Sequence, residues 1–342
     1  MKKSLIAGAI CLSPLPAFAE LTVEPYGSLR AQAEYVTVDK AKPGQNNSYT
    51  DVRDAYSRFG VIANYPLNNG TKLSAKIEIP FNIQQMKAED PSYFEGFYKN
   101  NNSPRIYKLT ASGDWGSMDI GKQWLAYYNA VAYPVDYFSS FYSGFATHAS
   151  FRREALTYTT PNFSGFTATA SMVDMVDGKG ESYLDTNQAA LTYAMDGLSL
   201  AVAYQDSIDG VANILGASAA YTTGPWRFAT KVEQLDSPAG TIQADPMIYN
   251  MYMSYQLKNY TFKALYSKGD VSDDASAFFQ GDSYHLGVDY QYTKNLKVFM
   301  EYFYEDHGYA IYTKNSESFD VLAGYHAKTN GSAFAVGARY DF

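Results

Sequence analysis

Apolar and polar residues alternate with a period of two from one end of this chain to the other. In 331–342, Phe334, Val336, Ala338, Tyr340 and Phe342 share one face, and Gly337, Arg339 and Asp341 share the other. Near the other end, Leu29, Ala31, Ala33 and Tyr35 alternate with Ser28, Arg30, Gln32 and Glu34. Phe59 and Val61 oppose Arg58; Leu73, Ala75, Ile77 and Ile79 oppose Lys72, Ser74, Lys76 and Glu78. The same holds for Trp226, Phe228 and Val232 against Arg227, Lys231 and Glu233, for Leu286, Val288 and Tyr290 against His285, Asp289 and Gln291, and for Val298 and Met300 against Lys297 and Glu301. Successive strand residues point to opposite faces, so each segment is predicted to be a strand with one apolar and one charged wall. In a soluble sandwich the apolar wall meets a core; in a membrane barrel it meets lipid, with water inside.

The connections favour the barrel. Short turns at Pro66–Gly70, Ser112–Gly116, Ala194–Gly197, Leu257–Asn259 and Thr293–Asn295 alternate with polar stretches over 39–54, 82–104, 125–152, 175–185, 236–246 and 268–281. Tight turns at one end and long loops at the other suit an outer-membrane meander with its turns in the periplasm. Tyr35, Tyr65, Tyr193, Tyr204, Tyr255, Tyr266, Tyr290 and Tyr304 stand on apolar faces near strand ends, where their rings would form interfacial belts. Direct counting gives eighteen candidate strands if Tyr309–Tyr312 adds a short one. No interdomain linker is visible, so 20–342 reads as one all-β transmembrane barrel domain.

Composition sharpens this. The chain carries 32 tyrosines and 20 phenylalanines, yet its mean hydropathy is −0.30. Many aromatics with low average hydropathy fit a barrel in which half of each strand faces water. The net charge of −8 argues against nucleic acid as a partner. Lys2 and Lys3, the apolar Leu5–Leu12 and Ala17-Phe18-Ala19 read as an export signal over residues 1–19, cleaved between Ala19 and Glu20. The single cysteine, Cys11, would leave with it.

Several local motifs, in order, resemble the general porins of Gram-negative outer membranes: Pro25-Tyr-Gly-Ser-Leu-Arg30, Tyr56-Ser-Arg-Phe-Gly60, Arg105 before Gly116-Ser-Met-Asp-Ile-Gly-Lys-Gln123, Tyr158-Thr-Thr-Pro-Asn-Phe-Ser-Gly-Phe166, and the closing Tyr340-Asp-Phe342. The resemblance implies a homotrimer of antiparallel barrels of mostly sixteen strands. Short turns face the periplasm, long loops lie outside, and the third loop folds into each pore. It implies passage of small hydrophilic solutes and ions, contact with outer-membrane lipid and lipopolysaccharide, and a terminal Phe342 read by the barrel assembly machinery. In the family, wall arginines face acidic loop residues. Arg58 and Arg105 match two wall positions, Arg30 shares the inward face two residues beyond a third, and either Arg152 or Arg153 matches a fourth. Parity with Thr157 favours Arg153. The third loop departs from the family: around its tip Asp136 is the sole carboxylate, crowded by Tyr127, Tyr128, Tyr133, Tyr137, Phe138, Phe141 and Tyr142.

A basic wall facing one loop acid predicts weak selectivity, near neutral or mildly anionic, unless Glu34 and Glu78 cancel the arginines. The loop aromatics either stack on sugar rings, giving a saccharide-selective channel, or pin the loop to the wall. Acidic loops (Asp270, Asp273, Asp274 and Asp282; Asp174, Asp177, Glu181 and Asp185) follow no recognised ion-binding spacing, so no metal or cofactor is expected. A barrel enzyme would need a nucleophile with a histidine partner. None of His148, His285, His307 and His326 sits in such a signature, so no catalytic residue is assigned.

Overall fold

A computed structural model describes residues 20–39, 47–89, 104–142, 147, 149–173, 186–206, 213–236, 247–270, 281–306, 311 and 330–342. Its strands are β1 (Thr22–Val38), β2 (Ser48–Asp54), β3 (Arg58–Pro66), β4 (Lys72–Pro80), β5 (Ile106–Gly113), β6 (Gly116–Trp124), β7 (Arg152–Thr159), β8 (Phe166–Met172) and β9 (Asn187–Met195). They continue as β10 (Leu198–Gln205), β11 (Asn213–Thr223), β12 (Trp226–Asp236), β13 (Met247–Leu257), β14 (Tyr260–Asp270), β15 (Gly281–Gln291), β16 (Leu296–Glu305) and β17 (Gly331–Asp341). Sequential strands pair antiparallel, except that β2 gives way to β3 along the same side of β1. β17 pairs with β1 from Ser28↔Asp341 to Val38↔Gly331, so the sheet closes on itself. The seam ends in a reciprocal backbone pair, Gly27 N–H to Phe342 O (2.9 Å) and Phe342 N–H to Gly27 O (3.1 Å).

Seventeen strands occupy sixteen wall positions. β1 pairs with β2 over Ala31–Thr37 and with β3 over Thr22–Ser28, so β2 and β3 are two halves of one interrupted stave. The break is local: Tyr56 takes φ 69°, and the Ser57 hydroxyl accepts from Arg30 N–H (2.8 Å) and donates to Arg30 O (3.2 Å). This corrects the predicted loop over 39–54, whose second half is strand β2. The alternative of eighteen strands gives way to sixteen because β16, β17 and β1 are directly hydrogen-bonded. The suspected strand over 309–312 lies, apart from Ile311, outside the described residues.

The wall is apolar outside and polar inside. Leu73, Ile77, Phe228, Met251, Leu286 and Val336 are exposed, while Arg30, Gln32, Glu34, Lys231, Glu233 and Glu301 are buried. A soluble sandwich has the reverse arrangement; a lipid-embedded barrel has this one. Outward aromatics gather at the turn end, as in Trp226–Tyr255 (4.5 Å) and Tyr260–Tyr290 (4.8 Å), and at the loop end, as in Tyr266–Tyr284 (5.2 Å).

Candidate functional site

Between β6 and β7 the chain turns inward and travels round the inner wall. It forms a π-helical turn at Tyr128–Ala132 and a 3₁₀ turn at Tyr133–Val135. Backbone groups in such a segment need partners once they leave water. Inward strand residues supply them in order around the barrel. Gln188 Oε1 accepts from Tyr127 N–H (2.8 Å), and Ser218 Oγ donates to Ala130 O (2.8 Å). Arg227 donates to Pro134 O (3.4 Å), and Lys263 Nζ to Tyr137 O (3.2 Å). Glu301 accepts from Ser139 N–H (2.8 Å) and Ser140 N–H (2.9 Å), and Gln32 Oε1 from Phe141 N–H (2.7 Å).

Apolar anchors run alongside. Tyr127 and Val131 pack on Ala190, Ala203, Ile214 and Leu235; Val135 and Phe138 on Ala220, Ala229, Tyr252 and Leu265; Phe141 and Tyr142 on Val36, Val38, Phe303, Ile311 and Ala333. Each fully buried large side chain contributes about 1.5–3 kcal/mol. The wall is shaped to receive them: a Cβ built on Gly216 would overlap the Tyr127 ring, so glycine lets the loop lie against β11.

Under the loop tip, Lys263 bridges Asp289 (2.9 Å) and Glu301 (2.9 Å), Lys297 meets Asp289 (2.9 Å), and His285 Nε2 lies 3.2 Å from Glu301. Phe138 stacks on the His285 ring at 3.6 Å. At the other edge of the tip, Arg53 pairs with Glu34 (3.2 Å) and covers the Phe141 ring at 4.3 Å.

The remaining wall, β17-β1-β3-β4-β5, is basic. Arg30 and Arg339 are direct cross-strand partners, and Arg58 stands opposite Ser28. Like charges so placed repel. Neighbouring carboxylates offset part of this: Glu78 meets Arg105 (3.0 Å) and Arg58 (3.8 Å), and Arg339 Nε reaches both oxygens of Asp341 (2.9 and 2.7 Å). Arg30, 8% exposed, donates Nε to Ser28 Oγ (2.8 Å) and has no carboxylate within ion-pair distance among the described residues.

Asp136 stands on the loop just after the 3₁₀ turn. It is half-buried, accepts from the Tyr128 hydroxyl (2.7 Å) and senses the charges of Arg30 and Arg58. Burial pushes its carboxyl up to about 6, against the opposing pull of that hydroxyl and the two guanidiniums. The Tyr128 hydroxyl is held well above its ordinary value, chiefly by burial and then by the Asp136 charge. Arg153 shares the inward face with Thr157 and pairs in register with Gln123; Arg152 instead lies buried over the Trp124 ring at 5.0 Å. Of the loop aromatics, Tyr133 is 51% exposed and Tyr137 half-buried, whereas Phe138 is a buried anchor. His148, His307 and His326 lie outside the described residues, as do all but Asp270 and Asp282 of the acidic loop clusters. Three residues of this region, Arg53, Arg227 and Glu301, were not among the expected site residues; Arg53 fell inside the stretch read as a loop.

The family model for Gram-negative porins matches residues 6–309. The chain belongs to this family. No curated protein sequence matches it. Solved porins share its fold at low identity. An anion-selective porin from Comamonas acidovorans superposes with a TM-score of 0.70 at 18% identity, covering 94% of this chain and 100% of its own. OmpF of Salmonella typhi, in complex with daunomycin, gives 0.67 at 16% identity, with 94% and 97% coverage. The trimer form of Vibrio cholerae OmpT gives 0.63 at 16% identity, with 94% and 99% coverage. This porin is therefore an outer-membrane channel, with a sixteen-stave barrel as its wall.

Proposed function

We propose that this porin passes small hydrophilic solutes and ions by diffusion, with weak selectivity near neutral or mildly anionic. The neck lies between the basic wall and the loop. Opposed charges across it set a transverse field, in which polar solutes align and apolar ones must displace ordered water. The observation that carries the sign is the imbalance there: among the described residues Arg30 has no ion-pair partner, Glu78 is shared by Arg58 and Arg105, and the loop sequence offers Asp136 alone. Glu34 is engaged by Arg53, so it does not cancel Arg30. The test is the reversal potential in a planar bilayer under a KCl gradient. A value near zero or displaced toward chloride agrees with the reading, and strong cation preference overturns it.

The trimeric OmpT structure supports a homotrimer for this porin as well. Three conductance steps per insertion event would report it, and single steps would refute it. Residues 1–19 read as the cleaved export signal, which N-terminal sequencing of the mature protein checks at Glu20.

A further inference from the structure

We propose that the outer face of the wall carries a docking groove for one phospholipid of the phosphoethanolamine class, with an acyl chain lying across β11–β15 and its headgroup at Lys268. The groove comes from the register of outward residues. One cross-strand row runs from Ala219 through Thr230 to Tyr284, and the next runs from Tyr221 through Ala264 to Leu286. Where small side chains stand in these rows, at Ala219, Thr230 and Ala264, the wall is hollow. The Thr230 hydroxyl donates to Asn250 O at 3.0 Å, so its methyl group is left for the groove. Phe228, Met251, Met253 and Leu286 stand exposed around the hollow. It encloses about 740 Å³ lined almost wholly by apolar atoms, a size typical of ligand sites.

Its place in the wall decides what fills it. The groove lies in the apolar belt between the aromatic pairs Trp226–Tyr255 on the turn side and Tyr266–Tyr284 on the loop side, where the medium is hydrocarbon. Crossing four interstrand spacings makes it roughly 19 Å long, against about 15 Å for half of a bilayer's hydrocarbon core. It is inclined, because its rows cross strands that are themselves tilted. One extended acyl chain fits that length, whereas a side chain from a second copy fills only part of it.

The rim decides the headgroup. Lys268 stands two residues beyond Tyr266 on the same outward face, about 7 Å further along β14, and is exposed. Asp282 is its register partner on β15, and Asp270 follows on the same face of β14. Asp282 accepts from the hydroxyl of Tyr266, which lines the groove, so this carboxylate is fixed at the groove's mouth. One ammonium beside two carboxylates repels lipopolysaccharide, whose several phosphates need several cations. A zwitterion matches the rim, with its phosphate on Lys268 and its ammonium on the carboxylates.

The test is native mass spectrometry of the full-length porin in detergent, titrated with palmitoyl-oleoyl phosphatidylethanolamine or the corresponding phosphatidylglycerol. The expected result is one saturable ethanolamine lipid per chain, with the glycerol lipid roughly fivefold weaker for want of the ammonium. Ala264→Phe and Thr230→Phe fill the groove from the lipid side and should each weaken binding about tenfold, the loss of roughly two buried methylenes. Lys268→Gln should weaken it roughly fivefold. Leu109→Phe, at an exposed outward position on β5, should leave it unchanged. Adducts that rise without saturation, equal binding of the two headgroups, or wild-type affinity in both groove-filling variants overturns the site. Loss of the oligomer in those variants overturns it too, by making the groove a contact between copies, as does displacement of the ethanolamine lipid by equimolar lipopolysaccharide. Single-channel KCl conductance should be unchanged in all four variants, so the groove stands or falls separately from the diffusion reading.

Discussion

Replacing Glu301 with glutamine should undock the tip of the inserted loop without opening the barrel. The carboxylate accepts from Ser139 N–H, Ser140 N–H and Lys263 Nζ, and His285 Nε2 stands 3.2 Å away. Glutamine keeps the volume and one carbonyl acceptor but turns its other arm into a donor that faces donors. One charge-assisted bond to the loop, worth about 1.5–3 kcal/mol, is lost, and the other falls to a neutral bond worth about 1 kcal/mol. Lys263 retains Asp289 at 2.9 Å, so no buried charge is stranded. The net loss is about 3 kcal/mol, or roughly a hundredfold in the ratio of docked to undocked loop. Amide hydrogen exchange read by mass spectrometry in detergent should show protection at Ser139–Phe141 falling by about that factor, since local opening sets the exchange rate. Strands β14, β15 and β16 should exchange as before. Unchanged protection at the tip refutes the clamp, and equal loss across the three strands shows that Glu301 stabilises the wall instead.

Three further outcomes follow from the same geometry. Asp136 titrates near 6, so it is charged at pH 7.5 and neutral at pH 5; as pH falls, the neck grows more positive and the KCl reversal potential should move toward chloride. Asp136→Asn should hold the shifted value at every pH, and a wild-type shift in the cation direction refutes the assignment. Gly216→Val forces the loop off β11 by overlap with Tyr127, at about 1–3 kcal/mol of overpacking, and should lower single-channel conductance. Phe342→Ala loses a ring that is already 46% exposed, a packing change of about 1 kcal/mol. Folding in detergent should be little changed while outer-membrane yield in cells falls, and parallel losses in both assays would reduce Phe342 to a packing residue.

The strands of this porin were legible because lipid outside and charge inside impose the sharpest possible contrast on a period of two. The contrast fails where neither face is apolar enough to show it. In 48–54 only Val52 marks the outward face, and the kink at Tyr56 breaks the stave before the clearer alternation of β3 begins. That one misreading hid Arg53, whose parity with Asp51 and opposition to Val52 place it inward once the segment is known to be strand. Arg30 was readable because it sits inside a regular strand whose parity fixes its direction; Arg58 opens β3, and the alternation that follows carries back to it, while Arg105, one residue before β5, was readable only from its motif. Arg152 and Arg153 stand where the strand begins, and only the register to Trp124 and Gln123 separates them.

What alternation cannot tell is which medium lies on the polar side. Glu301, Lys263, Gln32 and Gln188 read as channel lining, since polar residues facing water and polar residues capping a folded-in backbone have the same period. In this porin all four hold the loop, and the open lumen is lined from the opposite wall. A signal for the difference does exist in the inward positions that are not polar. Val36, Val38, Ile214, Phe303 and Ala333 carry apolar side chains at inward positions, and Gly216 and Ala220 carry almost none. Water has no use for apolar surface, and a pore has no need of missing side chains, so such positions mark where a second layer of protein must sit. By that rule the staves from β9 round to β16 and the upper parts of β17 and β1 receive the loop, and the lower part of β17 through to β5, which carries the arginines, faces the solute. The side chains that hold the loop thus decide which wall is left to act on what passes.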